Sequence, residues 1–209
     1  MQCTCPLGTF PTVADVTCKE NFGQIQKAIF CLLSSNGTET TVSADADGIV
    51  TALQALIPSK ALISPYLEAP EQEAGDARTF GGGNDTPNGV EEYLGMNPST
   101  FTAQMRGIPQ SIIAGMKQLI CFGEVEDNLG VYLINGSGAI EGISGGTTQA
   151  PTLAPIPIRA LRISDKIHGG YDEPDRNEVS WQFLEDYSDK LIIIAPTSGN
   201  ALLIKNGQD

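Results

Sequence analysis

The single histidine of this chain, His168, stands in "KIHGGYDEP" with Tyr171, Asp172, Glu173 and Asp175 close behind it. An imidazole beside carboxylates can serve as a general base or contribute to a metal site. Neither use has the company it needs, because the sequence holds no H-E-x-x-H and no lysine-bearing phosphate loop. A polar loop between two strands accounts for the segment without chemistry. Glu91 with Glu92, and Glu124 with Glu126, are carboxylate pairs of the sort a glycosidase uses. Among 25 acidic residues such pairs arise by chance and read as solvated surface. The "GGGND" glycines are followed by no G-K-[ST] and do not sit between a strand and a helix at G-x-G-x-x-G spacing, so they read as a flexible loop. "DADG" opens like a calcium loop, yet the twelfth position counted from Asp45 is Leu56 where a Glu is required.

Five cysteines, Cys3, Cys5, Cys18, Cys31 and Cys121, form an odd set without a C-x-x-C pair. Cys3, Cys5 and Cys18 could approach a metal together, but no fourth ligand is apparent. All five read as reduced thiols, with Cys31 and Cys121 inside apolar stripes and expected in the core. The sequence therefore points to no catalytic residue, no cofactor and no metal.

Charge narrows the partners. Twelve basic residues stand against 25 acidic ones, a formal net charge of −13. Such a chain repels nucleic acid and anionic membranes, since phosphate binding rests on Lys and Arg. The longest apolar runs, "AIFCLL" and "LIIIAP", are far short of the roughly 20 residues of a spanning helix, and the opening "MQCTCPLGTF" shows no export signal.

The elements that position these residues follow from periodicity. At 209 residues the chain is long enough for one good core, and a single structural domain over 1–209 is expected. Residues 21–57 read as a helical N-terminal part. A first helix runs from Asn21 to Ser35, with Phe22, Ile25 and Ile29 on one face. A second carries Ile49, Leu53, Leu56 and Ile57, capped by Asp45 or Asp47 and stopped by Pro58. "KALISPYLEA" reads as a modest strand, and residues 69–98, rich in Gly and acids, as an extended loop or arm. Residues 99–204 form a β-rich core. In it Phe101, Ala103 and Met105 alternate as in a half-buried strand. Ile112, Ile113, Met116, Leu119 and Ile120 then form the stripe of a helix over 109–122, with Pro109 in its first turn and Gly123 just past its end. "EVEDN" reads as a turn, and "LGVYLINGSGAIEGI" as a hairpin turning at Asn135-Gly136. Ser144–Pro155 reads as a connector. Ile156, Ile158 and Ala160, and later Val179, Trp181 and Phe183, alternate as strands, and "KLIIIAPTSGNALLIKNG" ends the chain in a strand or hairpin. Two or three helices and about seven strands at hairpin spacing predict an α+β fold: an antiparallel β-sandwich or open barrel with a flanking helix.

The segments "FTAQMRGIPQSIIAGMKQL", "LGVYLINGSGAIEGI" and "IPIRALRISDKIHGGYDEPDRNEVSWQFLEDYSDKLIII" together resemble virion proteins of tailed phages, in particular those of gut Bacteroidales, and among them most resemble tail tube proteins. The similarity covers roughly residues 95 to 200 and is one of element order and texture. It implies a tail-tube-like β-sandwich whose sheets join edge to edge around a ring, usually of six copies, with rings stacked into a tube. The implied partners are the chain itself, other virion proteins, and DNA only in passing through the lumen, with no membrane. The implied location is the virion, assembled in the host bacterial cytoplasm. Arg78 and Phe80 in the arm, with Asp172, Glu173, Asp175 and Arg176 in the polar loop, are the expected self-assembly contacts. Other virion roles share this texture, a head–tail connector or a capsid-decoration subunit among them. A monomeric ligand-binding sandwich would instead show clustered aromatics, and the chain has one Trp and five Tyr scattered along it.

Overall fold

The computed structural model describes residues 21–33, 40–125, 128–147 and 149–207, with the backbone alone for 123–125; Cys3, Cys5 and Cys18 lie outside them. The described residues form thirteen strands and three α-helices, a β-rich α+β fold in which every strand pairing is antiparallel. Eleven strands join in one curled sheet, a half-barrel, and two form a separate hairpin.

The first strand, β1 (Ile25–Leu32), replaces the expected helix over Asn21–Ser35. It lies between β3 (Ala61–Ile63) and β8 (Leu129–Asn135), with both faces covered. Ala28 and Phe30 enter one core and Ile29 and Cys31 the other. A strand buried on both faces is a continuous apolar run, which periodicity does not separate from a buried helix. The second expected helix is present as α1 (Ile49–Leu56), ending before Pro58. Its N-cap is Gly48 rather than an aspartate, and no side chain caps it; Asp45 instead accepts the Ile49 N–H through its main-chain oxygen at 3.0 Å.

Two long segments each serve both halves of the sheet. The first is β3, which pairs with β1; Ser64 and Leu67 continue by donating to the Ala28 and Gln26 carbonyls, and β4 (Glu68–Glu73) then pairs with β7 (Ser99–Arg106). The second begins with β10 (Ala150–Ala154) on β9 (Ile140–Thr147) and passes Pro155 into β11 (Ile156–Ile163), which pairs first with β8 and then with β12 (Arg176–Phe183). Residues 144–155 are thus a strand pair rather than a connector. Its glycines permit close approach, since a Cβ on Gly142 would meet the Ala154 carbonyl oxygen at 2.7 Å. Short β2 (Val42–Ser43) edges β10, and β13 (Leu191–Ile194) edges β9.

Three details depart from simple alternation. In β11 a bulge at Ala160, φ +51°, shifts the register between Arg159 and Arg162, so Leu161 and Ile163 are buried rather than Ala160. The β8–β9 turn falls at Asn135 as expected, where its side-chain oxygen accepts from the Ser137 and Ala139 N–H groups at 3.0 and 2.8 Å. The helix expected over 109–122 is two, α2 (Gln110–Lys117) and α3 (Leu119–Val125), and Gly123 and Glu124 lie inside the second.

Two cores result. One fills the concave side of the sheet, where Phe101, Met105, Trp181 and Phe183 meet Ile113 and Met116 of α2. The other lies beneath α1, where Ile49, Leu53 and Ile57 cover Tyr132, Ile134 and Leu153.

Candidate functional site

The surface feature least explained by the fold is the hairpin of β5 (Ala77–Gly81) and β6 (Glu91–Met96), which falls in the segment read from sequence as a loop or arm. Its residues carry no clean apolar alternation, so pairing alone makes it a strand pair. Its register runs from Ala77 opposite Met96 to Gly81 opposite Glu91. The neck is narrow: a Cβ on Gly75 would stand 1.8 Å from the Asn97 carbonyl oxygen, so only glycine fits there. Asn97 N–H donates to the Asp76 carbonyl at 2.8 Å, and Glu185 holds the base, accepting from Met96 N–H at 2.9 Å and pairing with Arg78 at 3.3 Å. At the turn Thr86 Oγ1 accepts from Gly82 N–H and donates to the Val90 carbonyl at 2.6 Å.

Phe80, Val90, Tyr93, Leu94 and Met96, exposed by 37% to 64%, are five of the ten large apolar side chains exposed among the described residues. A lone two-stranded hairpin is marginally stable in water, so a projecting one with an apolar surface calls for a cover.

The second group of expected contacts lies in the loop from Ser164 to Asp175 and at Arg176, where β12 begins. Arg176 pairs with Glu173 at 3.1 Å, and Asp175 stands 3.3 Å from His168 Nδ1 and 3.6 Å from Lys166 Nζ. Partial desolvation pushes the Asp175 carboxyl up. The Gly169 N–H, the His168 ring and Lys166 together outweigh it and hold it below the usual carboxylate range. Lys117 of α2 pairs with Asp165 at the start of the same loop and lowers that carboxyl too. Such depressed carboxylates support the folded loop above their ordinary range, and that support is lost as pH falls through the lowered values. His168 and Asp172 face solvent, and Tyr171 is fully exposed.

The six expected contacts thus divide into two patches. Arg78 and Phe80 lie on the hairpin, which leaves the sheet beside Ser99, whereas Arg176 stands opposite Arg106 at the other end of β7. Among the described residues no hydrogen bond or ion pair joins the two patches. The hairpin's apolar face was hidden from sequence reasoning by its glycines and acids; its one signal is the spacing of Tyr93, Leu94 and Met96.

The two described cysteines also divide. Cys31 is buried in β1, and burial pushes its thiol well up, whereas Cys121 on α3 is exposed rather than in the core as expected. Native alkylation at pH 8, mapped by peptide mass, is expected to label Cys121 within minutes and Cys31 only after denaturation. Rapid labelling of Cys31 would contradict the central position of β1. Among the described residues no helix is long and apolar enough to cross a membrane.

No family model and no curated protein matches the chain. Among solved structures it is similar to the cap of an anti-feeding prophage, a tube-terminating cap determined by cryo-electron microscopy, at 10% identity over 86% of this chain and 95% of that one, with a TM-score of 0.37.

Proposed function

We propose that this chain is a non-enzymatic structural protein of a tailed-phage virion, of the tail-tube kind, whose copies associate into rings stacked as a conduit for DNA. The observation that carries the reading is the β5–β6 hairpin. It stands clear of both cores and presents a concentrated apolar surface that a neighbouring copy can cover. The similarity to tail tube proteins in the order of strand, helix and hairpin supports the same reading. An acidic excess suits a lumen that must not hold passing phosphates, because like charge prevents adhesion. The partners are then the chain itself and other virion proteins, with DNA passing but not specifically bound, and six copies per ring as the expected number.

The test is negative-stain electron microscopy of the purified protein beside light-scattering mass over a concentration series. Rings or tubes with a central channel are expected. A monodisperse 22.1 kDa species at every concentration would overturn the proposal.

A further inference from the structure

The hairpin needs a receiving surface, and the described surface offers a groove of about 270 Å³ between β3 and the α2–α3 helices. Leu62, Leu119 and Phe122 give it apolar walls, with Lys60, Gln118 and Asn206 at the rim. Phe122 is 38% exposed there, although the helix has a core beneath it to turn toward. Among the described residues no aspartate or glutamate lines this groove, whereas three other clefts each carry a glutamate, namely Glu71, Glu141 or Glu178. In a chain of net charge −13, an acid-free apolar groove with a lysine at its rim suits an acidic, apolar segment. The hairpin is such a segment: Glu91 and Glu92 precede Tyr93 and Leu94 on β6, and all four are exposed.

Position decides whose hairpin it receives. The hairpin joins the sheet beside Ser99, and α2 begins just beyond Arg106, so they lie at opposite ends of β7. Seven strand steps separate those ends by roughly 23 Å. The hairpin neck is also held at the Ser99 end by Glu185, Asn97 and Gly75. A contact between two different surfaces is heterologous, and its repetition closes a ring or continues as a stack.

We infer that the β5–β6 hairpin of one copy docks in the β3/α2–α3 groove of the next, with Tyr93 and Leu94 against Phe122 and Leu119 and the hairpin glutamates toward Lys60. This contact rests on the proposed self-assembly and names the surfaces that perform it. The groove already guards its strand edge: Asn206 accepts from Ile63 N–H at 2.8 Å and donates to the Ile63 carbonyl at 2.7 Å. The incoming hairpin therefore meets side chains, not an open strand.

The test places photoreactive p-benzoylphenylalanine at position 93 of the full chain and irradiates a mixture of ¹⁴N- and ¹⁵N-labelled protein. Adducts joining position 93 to peptides spanning 58–62 or 115–122, in mixed-isotope pairs, are the expected result. Adducts to another segment of a second copy would overturn the groove and leave self-assembly standing. Same-isotope adducts alone would show the hairpin folding onto its own chain and would also overturn it. Absence of any association by light scattering would remove both proposals. As a second reading, Phe122→Glu, at an exposed position, should retain the circular dichroism of the fold and raise the concentration for half-association about tenfold. Unchanged association of that variant would likewise sink the inference.

Discussion

Trp181→Ala is expected to lower the free energy of unfolding by about 4 kcal/mol, the largest effect of any single truncation in this chain. The indole is fully buried. It stacks on Phe101 with ring centroids 4.2 Å apart and meets Phe30 and Phe183 edge-on at 5.5 and 6.2 Å. Those partners come from β1, β7 and β12, so the cavity left by alanine would open where three strands converge, and none can close it without moving the others. A contrast isolates the cause. The indole N–H is buried without an acceptor among the described residues. Trp181→Phe therefore keeps much of the packing and removes an unpaired donor, and should cost only about 1–2 kcal/mol. Equilibrium urea unfolding of the three proteins measures both values. A loss below about 1 kcal/mol for the alanine variant would mean that this aromatic cluster is not the centre of the concave core.

The next largest effect belongs to the seal between helix and sheet. Ile113 and Met116 are fully buried in the same core, while Ile112, on the same helix, is 44% exposed. Ile113→Ala and Met116→Ala should each cost about 3 kcal/mol, and Ile112→Ala should fall within about 0.5 kcal/mol of the parent. The ordering matters more than any one value, because a helix rotated on its axis would exchange the roles of Ile112 and Ile113. Equal losses at the two positions would contradict the placement of α2.

What could be read from the sequence was whatever one buried face makes periodic. The alternation of Phe101, Ala103 and Met105, that of Val179, Trp181 and Phe183, the stripe on α1 and the turn at Asn135 all stand as the residues suggest. Where both faces are buried the pattern vanishes, which is why β1, with Ala28 to Cys31 all buried, reads as a helix. Strands with almost no buried face were equally illegible. β4 and the hairpin mix acids with apolar and small residues at exposed positions in no period, and their order comes from pairing, β4 with the distant β7 and β5 with β6. Ala160 shows a third limit, because a bulge exchanges the buried and exposed sets within one strand and no local rule announces it. Of the six expected contact residues, the sequence placed Arg78 and Phe80 on the projecting arm but could not show that the remaining four lie at the far end of the sheet.

The two segments that change partners midway, Ala61–Glu73 and Ala150–Ile163, also determine how the protein bears load. Each is laced to one half of the sheet by its first residues and to the other half by its last. Tension along either is borne in shear by ladders in both halves together, rather than opening one ladder bond by bond. Neither half can slip without dragging the other, so the molecule should yield to force in one abrupt event and hold its shape below that threshold, as a rivet does.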